Sequence, residues 1–257
     1  MNTYFKSLGW PLFALLIYLG VQAILSIPLG LALSFNPDLN AGLLMGIVLF
    51  LSSIITGLII YLMKPFHLRD AFKQLGCPRS TAVLAIIATL FGLFASDIIN
   101  EFLNLPNPLE KMFKDMTGNI WGVLAIAVFG PICEEIVFRG GIMKPMLMRG
   151  VNPWAAILTS AIVFGLIHGN PAQIPFAAMV GVIFGIVYYR TDSLIITTLC
   201  HILNNASSVL LMNTYQGNLD ELSFQNLWGL PVTIACLVGS AAISVFLLIC
   251  FWRRTAA

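Results

Sequence analysis

Long apolar stretches separated by short polar segments make up nearly the whole chain. A helix that crosses a membrane needs about 20 apolar residues. The stretches predict eight such helices, with these bounds: Pro11–Leu33, Ala41–Met63, Thr81–Ile98, Ile120–Phe138, Trp154–His168, Pro175–Tyr189, Leu194–Met212 and Leu227–Trp252. The first stretch is too long for a signal peptide, so it is predicted to stay in the membrane. The pattern therefore predicts an all-α polytopic membrane protein.

Charges in the loops alternate along the chain, as the positive-inside rule requires. One set of loops carries the basic residues Lys6, Lys64, Arg69, Lys73, Arg79, Lys144, Arg149, Arg190, Arg253 and Arg254. The other set carries Asp38, Glu101, Glu110, Asp115, Asp220 and Glu221, with Lys111 and Lys114. Both termini are therefore expected in the cytoplasm.

Composition supports the same class of protein. Hydrophobic residues make up 59% of the 257 residues and charged residues only 9%, far fewer charges than a soluble domain carries. The whole chain, 1–257, is expected to be one integral membrane domain. Its short loops indicate a bacterial inner membrane, and its scattered basic residues indicate no nucleic-acid partner.

Four ionisable residues interrupt these apolar spans: Glu134, Glu135, His168 and His201. A charged side chain at the centre of a membrane helix costs roughly 2.5–3.5 kcal/mol, so such residues usually line a functional cavity. Carboxylates and imidazoles can also activate water. The sequence therefore predicts hydrolytic or proton-transfer chemistry inside the membrane.

The fourth span places its charges so that two of them can pair. Glu135 and Arg139 are four residues apart and lie on one helix face, with the glutamate N-terminal as such pairs prefer. Glu134 then points about 100° away from Glu135 and can act as a general base. A structural charge cluster is the simpler alternative. Gly130-Pro131, just before the glutamates, predicts a kink and a freed backbone carbonyl.

The fifth and seventh spans carry weaker signals. Phe164 lies one turn before His168, and Gly169-Asn170-Pro171 must end that helix. His201 and Asn205 share a face of the seventh span, where two donors could form an oxyanion hole. Packing of a core histidine, or hydrogen bonding between helices, would explain either motif taken alone.

Together, EExxxR, FxxxH and HxxxN, in this order on successive helices, resemble the CPBP family of intramembrane proteases. That family includes the CAAX prenyl endopeptidases and the Abi proteins linked to bacteriocin processing and self-immunity. The resemblance covers Ile120 to Met212 and implies a catalytic core over residues 119–213. Residues 1–118 form helices without a signature, and residues 214–257 form a C-terminal helix.

The resemblance implies a role for each residue and about eight helices enclosing an intramembrane catalytic cavity. Glu134 would activate the attacking water, and His168 would hold it. His201 and Asn205 would stabilise the tetrahedral oxyanion. The supporting residues would be Glu135, Arg139 and Phe164.

The need for a metal stays open at the level of sequence. Glu134, His168 and His201 could complete a zinc site with water as the fourth ligand. The chain has no HExxH motif, however, and Asn205 is a poor zinc ligand. We therefore favour a site without a metal cofactor.

Three functions are compatible with these residues. The first is an intramembrane endopeptidase that hydrolyses a membrane-associated or lipidated peptide, with membrane lipid and that substrate as its partners. The second is a proton-coupled small transporter, although the halves of the chain show no repeat of the kind common in transporters. The third is a non-catalytic bacteriocin-immunity protein that keeps the same residues for binding.

Overall fold

A computed structural model describes residues 8–63, 68–214 and 223–255, and every regular element in them is helical. The helices, in chain order, are α1 Gly9–Phe35, α2 Ala41–Met63, α3 Leu68–Ala71, α4 Arg79–Leu103, α5 Glu110–Thr117, α6 Ile120–Met148, α7 Pro153–Leu166, α8 Ile174–Thr191, α9 Ile195–Thr214, α10 Phe224–Trp228 and α11 Leu230–Arg254. The predicted all-α class is confirmed. Of the loop charges, Lys6, Lys64, Asp220, Glu221 and the side chain of Arg69 lie outside the described residues.

Seven helices of the described part are long and apolar enough to cross a membrane. The chain is therefore an integral membrane protein. The fifth predicted span, Trp154–His168, corresponds to α7, which is apolar but has only 14 residues and is not among the seven. It ends at Leu166, two residues before the predicted end at His168, and Gly169 with φ of 62° makes the turn that follows. Glycine is suited to this turn because it has no Cβ.

The fourth span is longer than predicted. α6 runs for 29 residues, to Met148 rather than Phe138. Arg139 did not end the helix because its side chain is fully buried beside Glu135 instead of reaching water. Two segments of α6, Ala125–Phe129 and Ile136–Met143, are π-helical, a form that occurs mostly as local bulges and frequently at functional sites.

Contacts divide the chain into two compact units. The first comprises Met1–Leu68, Leu109–Asn152 and His201–Thr214, and the second comprises Arg69–Pro108, Pro153–Cys200 and Tyr215–Ala257. Helix α9 thus contributes residues to both units.

In the first unit, α2 packs closely against the start of α6. A Cβ built on Gly46 would lie 2.7 Å from the backbone nitrogen of Gly122 and 2.9 Å from its Cα. Asn119 caps the start of α6 because its side-chain oxygen accepts from the Gly122 N–H at 3.0 Å. The small residues therefore set the distance between the two helices, as is common in membrane proteins.

In the second unit, α4, α8 and α11 share an apolar core that includes Leu93, Phe184, Val187 and Phe251. The carboxylate of Glu101 accepts the backbone N–H groups of Phe224 and Gln225, at 2.6 and 3.1 Å. These bonds satisfy two donors at the start of α10 that have no partner within the helix.

Replacement of Gly46 by alanine should destabilise the protein by about 1–3 kcal/mol, because the new methyl group overpacks the contact with α6. Gly57 is a matched control on the same helix, since a Cβ there meets only Ile136 Cδ1, at 3.8 Å. Thermal unfolding in detergent should show a lower Tm for Gly46→Ala and an unchanged or higher Tm for Gly57→Ala. Equal Tm values for the two variants would contradict the close packing.

Candidate active site

A fully buried ion pair lies on α6 at the predicted spacing. Arg139 Nε is 3.3 Å from Glu135 Oε2, and both side chains are 0% exposed. A buried charge without a partner costs several kcal/mol, so the two residues depend on each other. The pair fixes the position of the Glu135 carboxylate.

His201 of α9 lies between the two adjacent glutamates of α6. Its Nδ1 is 3.2 Å from Glu135 Oε1, and its Nε2 is 3.4 Å from Glu134 Oε2. An imidazolium donates from both nitrogens, whereas a neutral imidazole donates from only one. Both carboxylates therefore lie within reach of one imidazole, and only its protonated form can donate to the two at once.

Glu134 is the carboxylate of this cluster that retains some exposure. Its side chain is 16% exposed, compared with 0% for Glu135. Tyr18 of α1 donates its hydroxyl to Glu134 Oε1 at 3.5 Å, and its ring packs edge-on against Phe138. Sequence reasoning missed Tyr18, because a tyrosine in an apolar span without a motif gives no signal of its own.

Asn205 is held by a backbone carbonyl of α6. Its Nδ2 donates to Ile126 O at 2.9 Å, and its Oδ1 accepts from Asn204 Nδ2 at 3.1 Å. A carbonyl oxygen can only accept, so this contact fixes which end of the amide faces α6. Asn205, the predicted oxyanion donor, thus uses one N–H of Nδ2 for this contact, and Nδ2 carries a second N–H.

Phe164 and His168 belong to the second unit. His168 Nδ1 is 2.8 Å from Phe164 O, and because a carbonyl only accepts, Nδ1 carries a hydrogen. In the neutral imidazole, Nε2 then has the lone pair. The buried Phe164 ring also meets the imidazole edge-on, with centroids 5.1 Å apart. Phe164 therefore orients His168 through both its backbone and its ring. That His168 shares a water with Glu134 remains a prediction.

Two hydrogen bonds tie the break after His168 to other residues of the second unit. Asn170 is 0% exposed and donates from Nδ2 to Asn107 Oδ1 at 2.7 Å, while Asn100 donates to Ala172 O at 2.8 Å. Asn170 is the fully buried residue of Gly169–Gln173, Gly169 is exposed, and the other three residues are partly buried. Non-helical backbone inside a membrane must be buried in protein or face water in a cavity, and that this segment lies at membrane depth remains a prediction.

The candidate metal ligands named from the sequence are Glu134, His168 and His201. Among the residues that the structure describes, no group of three or more His, Cys, Asp or Glu side chains is arranged to hold an ion. Both nitrogens of His201 face carboxylates, whereas a metal-bound histidine turns a lone pair toward the ion. The set Glu134, His168 and His201 therefore gains no support as a zinc site.

Comparison with known proteins gives a match to the region that holds these residues. Residues 116–207 match the family model described as type II CAAX prenyl endopeptidase Rce1-like. YdiL of Bacillus subtilis (strain 168), provisionally named a membrane peptidase, is 28% identical over 89 residues. That alignment covers 35% of this chain and 36% of YdiL, so the chain spans about a third of its relative. No solved structure matches the chain significantly.

The fold and the site geometry together define a polytopic membrane protein with a buried carboxylate–imidazole cluster. The two matches then confirm the predicted resemblance to the CPBP family. The matched residues, 116–207, include all seven site residues that the motifs identified. The family's roles for those residues remain predictions.

Removal of the guanidinium by Arg139→Met should destabilise the protein by about 3–5 kcal/mol, because the buried Glu135 charge loses its arginine partner and keeps, of these two contacts, only the one with His201. The double variant Glu135→Leu/Arg139→Met should recover most of this loss, since two apolar side chains often replace a buried pair at little cost. Chemical denaturation in detergent measures both. A single variant as stable as wild type would contradict the dependence of the pair.

Proposed function

We propose that this protein is an intramembrane endopeptidase in which Glu134 activates water to hydrolyse a peptide bond. The observation that carries the proposal is the difference in exposure and contacts between the adjacent carboxylates of Glu134 and Glu135. Glu135 is fully buried against Arg139, while Glu134 remains 16% exposed and its carboxylate contacts Tyr18 and His201. A partly accessible carboxylate held between two donors is suited to a general base.

In the proposed reaction, the Glu134 carboxylate takes a proton from water as the oxygen attacks the scissile carbonyl carbon. The tetrahedral intermediate places negative charge on the former carbonyl oxygen. Glu134 then returns the proton to the leaving amine as the carbon–nitrogen bond breaks. The same residue thus serves as base and acid, which the reaction requires in turn.

His201 and Asn205 are the proposed donors to the oxyanion. Both lie on one face of α9. Asn205 has an N–H besides the one that donates to Ile126 O, and His201 would share its Nε2 hydrogen between Glu134 and the oxyanion. Preorganised donors of this kind are worth about 10²–10³ in rate. His168 is the proposed second contact of the attacking water, because its Nε2 has a lone pair to accept a hydrogen bond.

The proposed substrate is a membrane-associated or lipidated peptide, presented in the lipid that surrounds the helices. The Rce1-like family model, named for CAAX prenyl endopeptidases, supports this class of substrate. We further propose a bacterial inner membrane as the location, with both termini in the cytoplasm. The alternation of loop charges supports that orientation.

Glu134→Gln should abolish cleavage of a farnesylated peptide that ends in a CAAX sequence and carries a fluorophore and quencher. The amide keeps the size of the side chain but cannot accept a proton from water, so we expect kcat to fall by about 10³-fold or more. Fluorescence in proteoliposomes measures the rate, and mass spectrometry identifies the cleaved bond.

Asp97→Asn is the matched control, because Asp97 is another acid within a predicted span and has no place in the proposed site. It should cleave at the wild-type rate. Glu134→Gln with full activity would refute the proposed base. A wild-type protein that moves protons across proteoliposomes but cleaves no peptide, in either this assay or membrane peptidomics, would favour the transporter instead.

We also propose that the reaction needs no metal cofactor, since both nitrogens of His201 face carboxylates and no group of three or more His, Cys, Asp or Glu in the described part of the chain is arranged to hold an ion. Dialysis against EDTA or 1,10-phenanthroline should leave cleavage of the farnesylated peptide unchanged. Elemental analysis of the purified protein should find well under one zinc per chain. Loss of cleavage on dialysis, restored by added zinc, would contradict this proposal.

A further inference from the structure

We propose that Pro131 is a positioning residue: it keeps the backbone carbonyl of Ile126 available to hold the Asn205 amide. The inference deepens the proposed function, on which the role of Asn205 as an oxyanion donor rests. Its evidence lies in the backbone of α6 and in one hydrogen bond to α9.

In a regular α-helix, the N–H of Gly130 would donate to the carbonyl of Ile126, four residues earlier. The π-helical segment Ala125–Phe129 changes this partner: Gly130 N–H donates to Ala125 O, five residues earlier. The Ile126 carbonyl would then receive the N–H of residue 131. That residue is proline, which has no N–H to donate.

Ile126 O thus has neither of its possible backbone donors. The π-helical register turns the Gly130 N–H to Ala125 O, and residue 131 is a proline without an N–H. A backbone carbonyl inside a membrane protein needs another partner. Asn205 Nδ2 supplies it at 2.9 Å. The sequence feature Gly130-Pro131 is therefore the physical reason that an acceptor for Asn205 exists on α6.

Gly130 is part of the same arrangement. A Cβ built on it would lie 2.7 Å from Ala125 O, closer than real Cβ atoms come to such a neighbour. A side chain at this position would therefore disturb the π register itself. Glycine permits the register, and proline keeps the resulting carbonyl from finding a backbone donor.

The consequence for the proposed reaction is that the side-chain amide of Asn205 is held in one orientation. Asn205 Nδ2 has two hydrogens, and the bond to Ile126 O fixes the plane and direction of the amide. Asn204 contributes from the other end, since its Nδ2 donates to Asn205 Oδ1. A donor held in place before the reaction stabilises a developing oxyanion better than one that must first be ordered.

Pro131→Ala tests this by returning an N–H that competes for Ile126 O. With the farnesylated quenched peptide in proteoliposomes, we expect kcat to fall at least tenfold with KM within twofold of wild type. The Tm should not fall, since alanine is a better helix former than proline.

The matched variant replaces Pro131 with lactic acid, the hydroxy-acid analogue of alanine, to give an ester at this position. It has the same methyl side chain as Pro131→Ala but no N–H. We expect its kcat to stay within threefold of wild type. Equal losses in the ester and alanine variants would show that the proline ring, rather than the missing N–H, matters, and would overturn the proposal.

A second measurement does not depend on cleavage. Asn205→Ala should lower the Tm by several degrees in the wild-type background, because Ile126 O loses its donor. In the Pro131→Ala background the same change should have less than half that effect. Additive Tm changes would overturn the anchoring. A wild-type protein that cleaves no peptide would refute the proposed function but leave this thermal cycle interpretable.

Discussion

The fully buried ion pair between Glu135 and Arg139 is the interaction on which the rest of the candidate site depends. Two glutamates side by side in a membrane helix repel each other and resist removal from water. Arg139 supplies a positive charge against Glu135, and His201 lies between the two carboxylates. With these contacts, Glu135 can be fully buried and Glu134 can remain accessible for chemistry.

A second constraint comes from the backbone. Helix α6 contains two π-helical segments, on either side of the residues Gly130–Glu135. Each changes which backbone groups are paired, and the first, followed by Pro131, leaves a carbonyl for Asn205. The polar groups of α6 and α9 are thus connected both through side-chain charges and through one main-chain acceptor.

Much of this could be predicted from the chain. The apolar stretches predicted the helices, and the spacing of Glu135 and Arg139 predicted their contact, because residues four apart lie on one helix face. The end of α7 near Gly169-Asn170-Pro171 also followed from local backbone preferences. The end of α6 was predicted ten residues early, since a buried arginine is not distinguishable in sequence from one that reaches the interface. Tyr18 lies 116 residues from Glu134, so no local pattern could have indicated their contact.

The sequence by itself determined the helical class, the membrane environment and the identities of the polar residues, because these follow from local hydrophobicity and helical periodicity. Only the tertiary structure decided which groups contact the carboxylates of Glu134 and Glu135. His201 is the partner of both glutamates, and Ile126 O is the partner of Asn205, through contacts that join α6 to α9. Such contacts depend on the distance and rotation between packed helices, which are set by side chains along their whole length rather than by any short motif.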